Sequence, residues 1–462
     1  MFRRLIVALV AASVLAGCGS VTTSPVTPSG APVTPNASGG DPASIGTAFI
    51  GALSRGDDAT AEAMEDATML AAAPAATLGQ LWAQFVAQYG AFQSIGGVTT
   101  TTQAPYTIAA VETDFVNSTV TLTVAISSAG QVSGLHIAKV AESSSAPASS
   151  PAAYVNPAAF TETAVTVGSA PWALPGTLSM PNGAGPFPGV VLVQGSGPND
   201  RDESFGPNKP FRDLAWGLAS AGIAVLRYDK RTLVYGAQMA AQEATITVRQ
   251  ETTDDAIAAV ALLRETPNVD PARVFLVGHS LGAYLAPRIA AQVPGELRGL
   301  VLLEAPTTPL PQLILIQEEY LASLQGSPSP QVEQQLATLK EQVALAESPS
   351  LSPSTPASEL PLDMPASYLL DLRTYNPLTT AAGLTIPMFF SQGGRDYQVP
   401  PSELQPWEQA LASHSNVTFR TYPAMDHLLL DGSGPATPAE YSVPGHVDSQ
   451  LVADLAAWLT SH

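Results

Sequence analysis

Residues 274–292, VFLVGHSLGAYLAPRIAAQ, run from an apolar, β-type segment through two glycines into apolar residues at helical spacing. A small polar residue, Ser280, sits between Gly278 and Gly282 at the junction. The run Gly278-His279-Ser280-Leu281-Gly282 fits G-x-S-x-G. In that elbow a serine occupies a sharp, strained strand-to-helix turn, and side chains two positions away would collide with it. Three fixed positions in five recur by chance, so the specificity comes from the strand before and the helix after. Ser280 is read as a nucleophile, against the plainer alternative of a glycine-rich turn that happens to hold a serine.

The same pattern extends in both directions. Short apolar runs at 189–194, 223–228, 274–278, 297–305, 387–392 and 417–422 alternate with helical stretches such as 211–220 and 252–265. That alternation predicts an α/β fold, a mostly parallel sheet with helices on both faces and its site at the carboxyl ends of the strands. Residues 306–386 form far more than a usual connection. LPQLILIQEEYLASLQ and SPQVEQQLATLKEQVALAE read as helices within it, giving a lid at about 307–380. Leu313, Ile314, Ile316 and Tyr320 are candidates for an acyl pocket or for the lid's own packing. Tyr368, Arg373 and Tyr375 return the chain to the core and are not read as substrate ligands.

A serine hydroxyl is a weak nucleophile and needs a base held by a carboxylate. Behind an elbow of this type the chain order is Ser, acid, His. The histidines after Ser280 are His414, His427, His446 and the terminal His462. His427 follows the last strand, in a loop facing the strand ends, and is the preferred base. His446, opening the final helix, is the rival, and His414 closes a helix ahead of the strand and belongs to the other end of the sheet. Asp396 lies just beyond the strand at 387–392 and is the preferred acid over Asp426, adjacent to His427, and Asp431. The oxyanion needs two fixed N–H groups. Leu281 is assigned one, at a helix N-terminus, and Ser196 the other, in the loop after the first core strand. Arg201, Asp202, Glu203 and the run RYDKR (227–231) are expected to brace that loop by ion pairing.

With these residues in view, the core resembles the α/β-hydrolases. GSGPNDRDES, GPNKPFRDLAWGLASAGIAVLRYDKRT, GHSLGAYLAPRIA and QGGRDYQV are similar to a bacterial serine esterase family related to dienelactone hydrolases and serine aminopeptidases. The resemblance spans most of 160–462 and implies Ser280, Asp396 and His427 as nucleophile, acid and base, with no metal or organic cofactor. Gln194-Gly195 stands where many relatives have His-Gly, and Ser280 stands where dienelactone hydrolases proper use cysteine.

The N-terminus MFRRLIVALVAASVLAGC has the charged, apolar, small-residue layout of a secretory signal, too short for an ordinary membrane span. Leu15-Ala16-Gly17-Cys18 resembles the lipobox of bacterial lipoproteins. The resemblance implies a signal at 1–17, fatty-acyl chains such as palmitate on Cys18, and an extracytoplasmic, membrane-anchored location. Cys18 is the only cysteine, so no disulfide forms within the chain. Residues 18–42, uncharged up to Asp41, read as a Ser/Thr/Pro-rich tether, and 142–155 as a second linker. Between them, 43–141 reads as a small α+β domain, two helices over 43–95 and then a three-stranded meander from Tyr106. It resembles a bacterial domain of unknown function found before secreted α/β-hydrolases, and its lone His136 is read as structural. The chain carries 19 Lys and Arg against 39 Asp and Glu, a formal net charge of −20, and −22 without Arg3 and Arg4. Such a surface repels nucleic acid, and no His/Cys cluster suggests structural zinc.

The expected activity is hydrolysis of short- to medium-chain acyl esters through an acyl-enzyme, by residues 156–462. A peptidase or acyltransferase with the same triad is the first alternative, the peptidase holding an amine through lid carboxylates such as Glu318 and Glu319. A non-catalytic envelope binding protein is the second.

Overall fold

The computed structural model describes residues 41–103, 106–116, 118–142, 150–240, 245–324 and 326–462. The leader, Cys18, residues 19–40 and residues 143–149 of the expected second linker lie outside them. The described residues fall into two compact units, 41–142 and 150–462.

In the smaller unit, helices α1 (Pro42–Ser54) and α2 (Ala75–Tyr89) accompany a four-stranded antiparallel sheet. Its strands are β1 (Phe92–Gln103), β2 (Tyr106–Phe115), β3 (Ser118–Ile126) and β4 (Val132–Glu142), in that spatial order. Phe49, Ile50 and Leu53 of α1 pack with Leu78, Trp82 and Phe85 of α2 against Val111, Phe115, Val120 and Leu122. The sheet has one strand more than the sequence predicts, and residues 92–95, expected to be helical, begin it. The reason is local: FQSIGGVTTTTQ shows no apolar alternation. β1 is an edge strand with no fully buried residue over 92–102, so neither face demands alternation, and its register is irregular between Ile95 and Val98. His136 lies on β4.

In the larger unit an eight-stranded sheet has the order β12-β11-β10-β9-β7-β8-β6-β5. Six parallel strands form its body: β7 (Phe187–Val193), β8 (Ala224–Tyr228), β9 (Val269–His279), β10 (Gly299–Leu303), β11 (Met388–Gly393) and β12 (Val417–Tyr422). Side chains alternate between two apolar faces, as period-two strands require. Val274, Leu276, Leu300, Leu302, Met388 and Phe390 join one core. Phe275, Val277, Val301, Leu303 and Phe389 join the other, under α3 (Pro210–Ser220) and the C-terminal helix Ser449–Ser461. Each fully buried side chain of this size contributes roughly 1.5–3 kcal/mol.

Two strands that the sequence reading passes over, β5 (Phe160–Val167) and β6 (Leu174–Pro181), extend the sheet antiparallel beyond β8. β5 is the edge and most of its residues are exposed, so it lacks the apolar signature of its neighbours. From β7 the chain moves outward to β8, then β9 returns to the other side of β7. That reversal opens a crevice at the carboxyl ends of β7 and β9, where ligands bind in sheets of this kind. Ser280 follows β9 and residues 194–208 follow β7.

Candidate active site

Ser280 caps helix α4 (Leu281–Gln292) with φ 53° and ψ −116°. A non-glycine residue held there costs on the order of 1–3 kcal/mol and persists only where its surroundings enforce it. The enforcement is visible. Ser280 N–H donates to the Leu303 carbonyl at 2.9 Å, and the Ser280 carbonyl accepts from Tyr284 N–H at 2.9 Å. The two glycines are sterically required: a Cβ on Gly278 would lie 2.3 Å from the Gly282 carbonyl oxygen, and one on Gly282 2.1 Å from that of Val193. Leu281, the first helical residue, has no intrahelical acceptor for its N–H, and the helix dipole adds positive potential there.

The loops after β11 and β12 are laced together by Gly394 N–H to the Tyr422 carbonyl (2.8 Å) and Arg395 N–H to that of Met425 (3.0 Å). They bring Asp396 and His427 together. Nδ1 of His427 is 2.7 Å from Oδ2 of Asp396, and both residues are buried. The other carboxylate oxygen accepts from Gln398 N–H (2.8 Å) and Val399 N–H (2.9 Å). Nε2 of His427 is thereby left for other chemistry. Among the described residues the Ser280 hydroxyl makes no hydrogen bond; such contacts are commonly long until substrate binds.

The rivals have other occupations. His446 pairs with Asp213 at 2.8 Å. His414 precedes β12 and approaches the Ala382 carbonyl at 3.1 Å. Asp426 shapes the turn that carries His427, accepting from Leu428 N–H (2.9 Å) and Leu430 N–H (3.1 Å), and burial pushes its pKa up to about 7. Asp431 sits against Asp448.

The loop after β7 lies against the serine: a Cβ on Gly195 would be 3.1 Å from Ser280 Cβ and 3.6 Å from its Oγ. Gly195 N–H donates to Glu203 Oε1 at 2.6 Å and its carbonyl accepts from Lys230 Nζ at 2.6 Å. With the Gly195 N–H engaged, Ser196 supplies the next N–H of the loop, and its residue is half-buried. Gln194, standing where relatives carry histidine, donates instead to the Tyr228 carbonyl. The charged residues named from sequence do brace the loop. Arg201 grips Asp229 through two bonds of 2.8 and 2.7 Å, and Arg227 pairs with Asp202 (3.1 Å) and Glu162 (2.8 Å).

Two further buried groups matter, Lys230 from the run RYDKR and Glu304, which the sequence reading did not single out. Lys230, 1% exposed, pairs with Glu251 at 3.1 Å, and Glu251 accepts from the Tyr368 hydroxyl at 2.6 Å. Glu304, fully buried at the end of β10 with φ 51°, accepts from Gly393 N–H (2.8 Å) and Gln392 Nε2 (3.0 Å). Burial, reinforced by the neighbouring Asp396, holds the Glu304 carboxyl well above the usual range. The only signal in the sequence was an acidic residue one step past an apolar strand.

Between β10 and β11 the chain forms helices α5 (Leu310–Leu324), α6 (Pro330–Glu347) and α7 (Ala366–Arg373). Tyr320 of α5 stacks on Tyr397, next to Asp396, at 5.1 Å between ring centres. Ile314 lines a small cavity with Glu318, Leu321, Leu362 and Tyr397, whereas Leu313 is packed in the interior and Ile316 is exposed. Burial raises the Glu318 carboxyl to about 7; Glu319 instead pairs with Lys340 at 2.9 Å. Tyr368, Arg373 and Tyr375 bond respectively to Glu251, to the Ser348 carbonyl and to the Tyr284 carbonyl. All three are internal ties.

Residues 190–441 match the model of the Alpha/beta hydrolase family, and 47–135 that described as Protein of unknown function (DUF3887). Esterase EstD of Thermotoga maritima is 38% identical over 383 residues, covering 83% of this chain and 87% of that protein. Among solved structures, Est1E from Butyrivibrio proteoclasticus is 16% identical with a TM-score of 0.42, covering 65% of this chain and 99% of its own. A Pyrococcus furiosus esterase is 16% identical with a TM-score of 0.40, covering 65% and 91%. Those two likenesses carry no weight here. The long family match and the extent of identity to EstD do: the chain belongs to the alpha/beta hydrolase family.

Proposed function

We propose that the chain is a serine carboxylesterase acting on short- to medium-chain acyl esters. Ser280 attacks the ester carbonyl while His427 takes its proton, and Asp396 holds the imidazole and stabilises its charged form. The N–H groups of Leu281 and Ser196 receive the developing oxyanion. Collapse of the tetrahedral species expels the alcohol, protonated by His427, and leaves an acyl-serine. Water, deprotonated by the same histidine, then releases the acid. The observation that carries this reading is the buried 2.7 Å contact between His427 and Asp396, on the loops beside a serine at φ 53°. The similarity to EstD supports the ester as substrate. The acylation of Cys18, and with it a place at the extracytoplasmic face of a membrane, rests on the sequence of residues 1–18; among the described residues no helix is long and apolar enough to cross a membrane.

The test is a ladder of p-nitrophenyl esters from acetate to palmitate. Turnover peaking at short or medium chains supports the proposal, and a flat absence of turnover refutes it. One observation favours the peptidase alternative, the Glu318 carboxyl facing the cavity beside Tyr397. Aminoacyl p-nitroanilides cleaved faster than esters, with cleavage abolished by Glu318→Gln while ester turnover persists, would establish that alternative.

A further inference from the structure

His279 occupies the variable position before the nucleophile and is 3% exposed. Its Nε2 lies 2.8 Å from the carbonyl oxygen of His427. A carbonyl only accepts, so Nε2 carries a proton. Its Nδ1 lies 3.0 Å from Oε2 of Glu203, an ion-pair distance with the ring off the hydrogen-bond line. The other oxygen of Glu203 accepts the Gly195 N–H. That oxygen of Glu203 is an acceptor, and its second oxygen faces the Nδ1 edge of His279. Burial by itself disfavours a charge on the ring, but Glu203 first, then the His427 carbonyl and Asp396, outweigh it and raise the pKa of His279. The remaining faces of the ring meet Phe211 edge-on at 6.3 Å and the ring of His427 at 4.8 Å.

We propose that Glu203 and His279 are a positioning pair that fixes the spacing between the oxyanion loop and the base of the triad. Three loops from different strand ends have to agree for the chemistry: the one after β7, the elbow after β9 and the one after β12. This single pair joins all three, through Gly195, through its own place next to Ser280, and through the His427 backbone. Lys230 holds the next peptide group, through the Gly195 carbonyl. Glu203 itself stands at φ 50°, a conformation that glutamate rarely adopts and that the loop enforces. Stability alone does not account for the arrangement, because well-packed apolar residues commonly replace a buried ion pair without loss. By spending the Gly195 N–H, the pair also leaves Ser196 as the donor that faces substrate.

The inference rests on the serine-hydrolase reading, and the test separates the two. The full chain is assayed with p-nitrophenyl acetate and with a trifluoromethyl ketone, whose adduct with Ser280 places an oxyanion in the hole. Misplacing these groups by about an ångström costs on the order of 100-fold. Glu203→Ala is expected to lower kcat roughly 100-fold with KM within about threefold, and to weaken the ketone in parallel. Glu203→Gln, which still accepts from Gly195 and faces His279 with a polar group, is expected to restore most of the lost kcat. A folded Glu203→Ala chain with unchanged kcat, or with kcat reduced and ketone binding intact, overturns the proposal. Should that variant not fold, His279→Gln is read in its place: it keeps a donor toward His427 and loses contact with Glu203. A tenfold or greater fall in kcat at constant KM supports the pair, and a wild-type kcat overturns it. A wild-type chain without turnover would instead sink the serine-hydrolase reading.

Discussion

The elbow at 278–282 and the loop at 194–204 lie against one another, yet they are held by opposite means. The elbow is shaped by backbone sterics: two glycines admit the Gly282 and Val193 carbonyls at distances no Cβ would tolerate. The loop at 194–204 is shaped by buried charge. Lys230 and Glu203 clamp the two peptide groups on either side of Gly195, and Lys230 leads through Glu251 to Tyr368 on the segment between β10 and β11. Shape written in five consecutive residues is local and cheap to specify. Shape written in ion pairs needs partners from distant strands, and each pair repays its desolvation only if complete.

This contrast can be broken or sharpened by substitution. The largest effect is expected from Asp396→Asn, which keeps the shape of the acid but presents His427 in the wrong tautomer. A fall in kcat of about 10⁴ is expected, equivalent to about 5.5 kcal/mol of barrier, with KM nearly constant. Lys230→Met should come next, since it strands Glu251 without its cation and frees the Gly195 carbonyl. A loss of about 3–5 kcal/mol in urea unfolding is expected, with lowered kcat. Gly282→Ala should cost about 3 kcal/mol or more, because the obstacle is a backbone oxygen that cannot rotate away. If alanine at Gly282 were tolerated, the steric half of the contrast would fail. Tyr368→Phe removes one hydrogen bond from the far end of the charge chain and should cost about 1 kcal/mol.

A pH measurement sharpens the picture around His427. The Asp426 carboxyl, raised to about 7 by burial, binds its proton more tightly folded than unfolded. Its contribution to stability is full below about pH 4, the ordinary range for aspartate, and is lost as pH climbs through 7. Asp426→Asn cannot lose that proton. Between pH 4 and 7 its stability should therefore decline less steeply than the wild type's, by up to about 1.4 kcal/mol per pH unit. Identical slopes would contradict the assignment.

How much of this was legible in the sequence follows the same division. The parallel strands, the elbow and the loops bearing Asp396 and His427 each announce themselves within about ten residues, by apolar runs and by chain order. The edge strands β5 and β1 did not. Phe160–Val167 exposes most of its side chains, and Phe92–Gln103 carries Gly96-Gly97 and a threonine run in place of alternation. The loop at 194–204 was legible as charged, but not in its pairing. Whether Glu203 meets His279 or an arginine depends on where separate strands end, and Arg201 and Arg227 turn elsewhere, to Asp229, Asp202 and Glu162. Glu304 was hidden for the same reason: only the parallel pairing of β10 with β11 places it beside Asp396.

The central claim is that Ser280 is a nucleophile activated by His427. Covalent labelling by a fluorophosphonate probe of the wild-type chain beside Ser280→Ala and His427→Ala tests it most directly. The account predicts stoichiometric labelling of the wild type, none of the serine variant, and labelling slowed by orders of magnitude in the histidine variant. Labelling that survives Ser280→Ala, or a wild type that does not react, would contradict it.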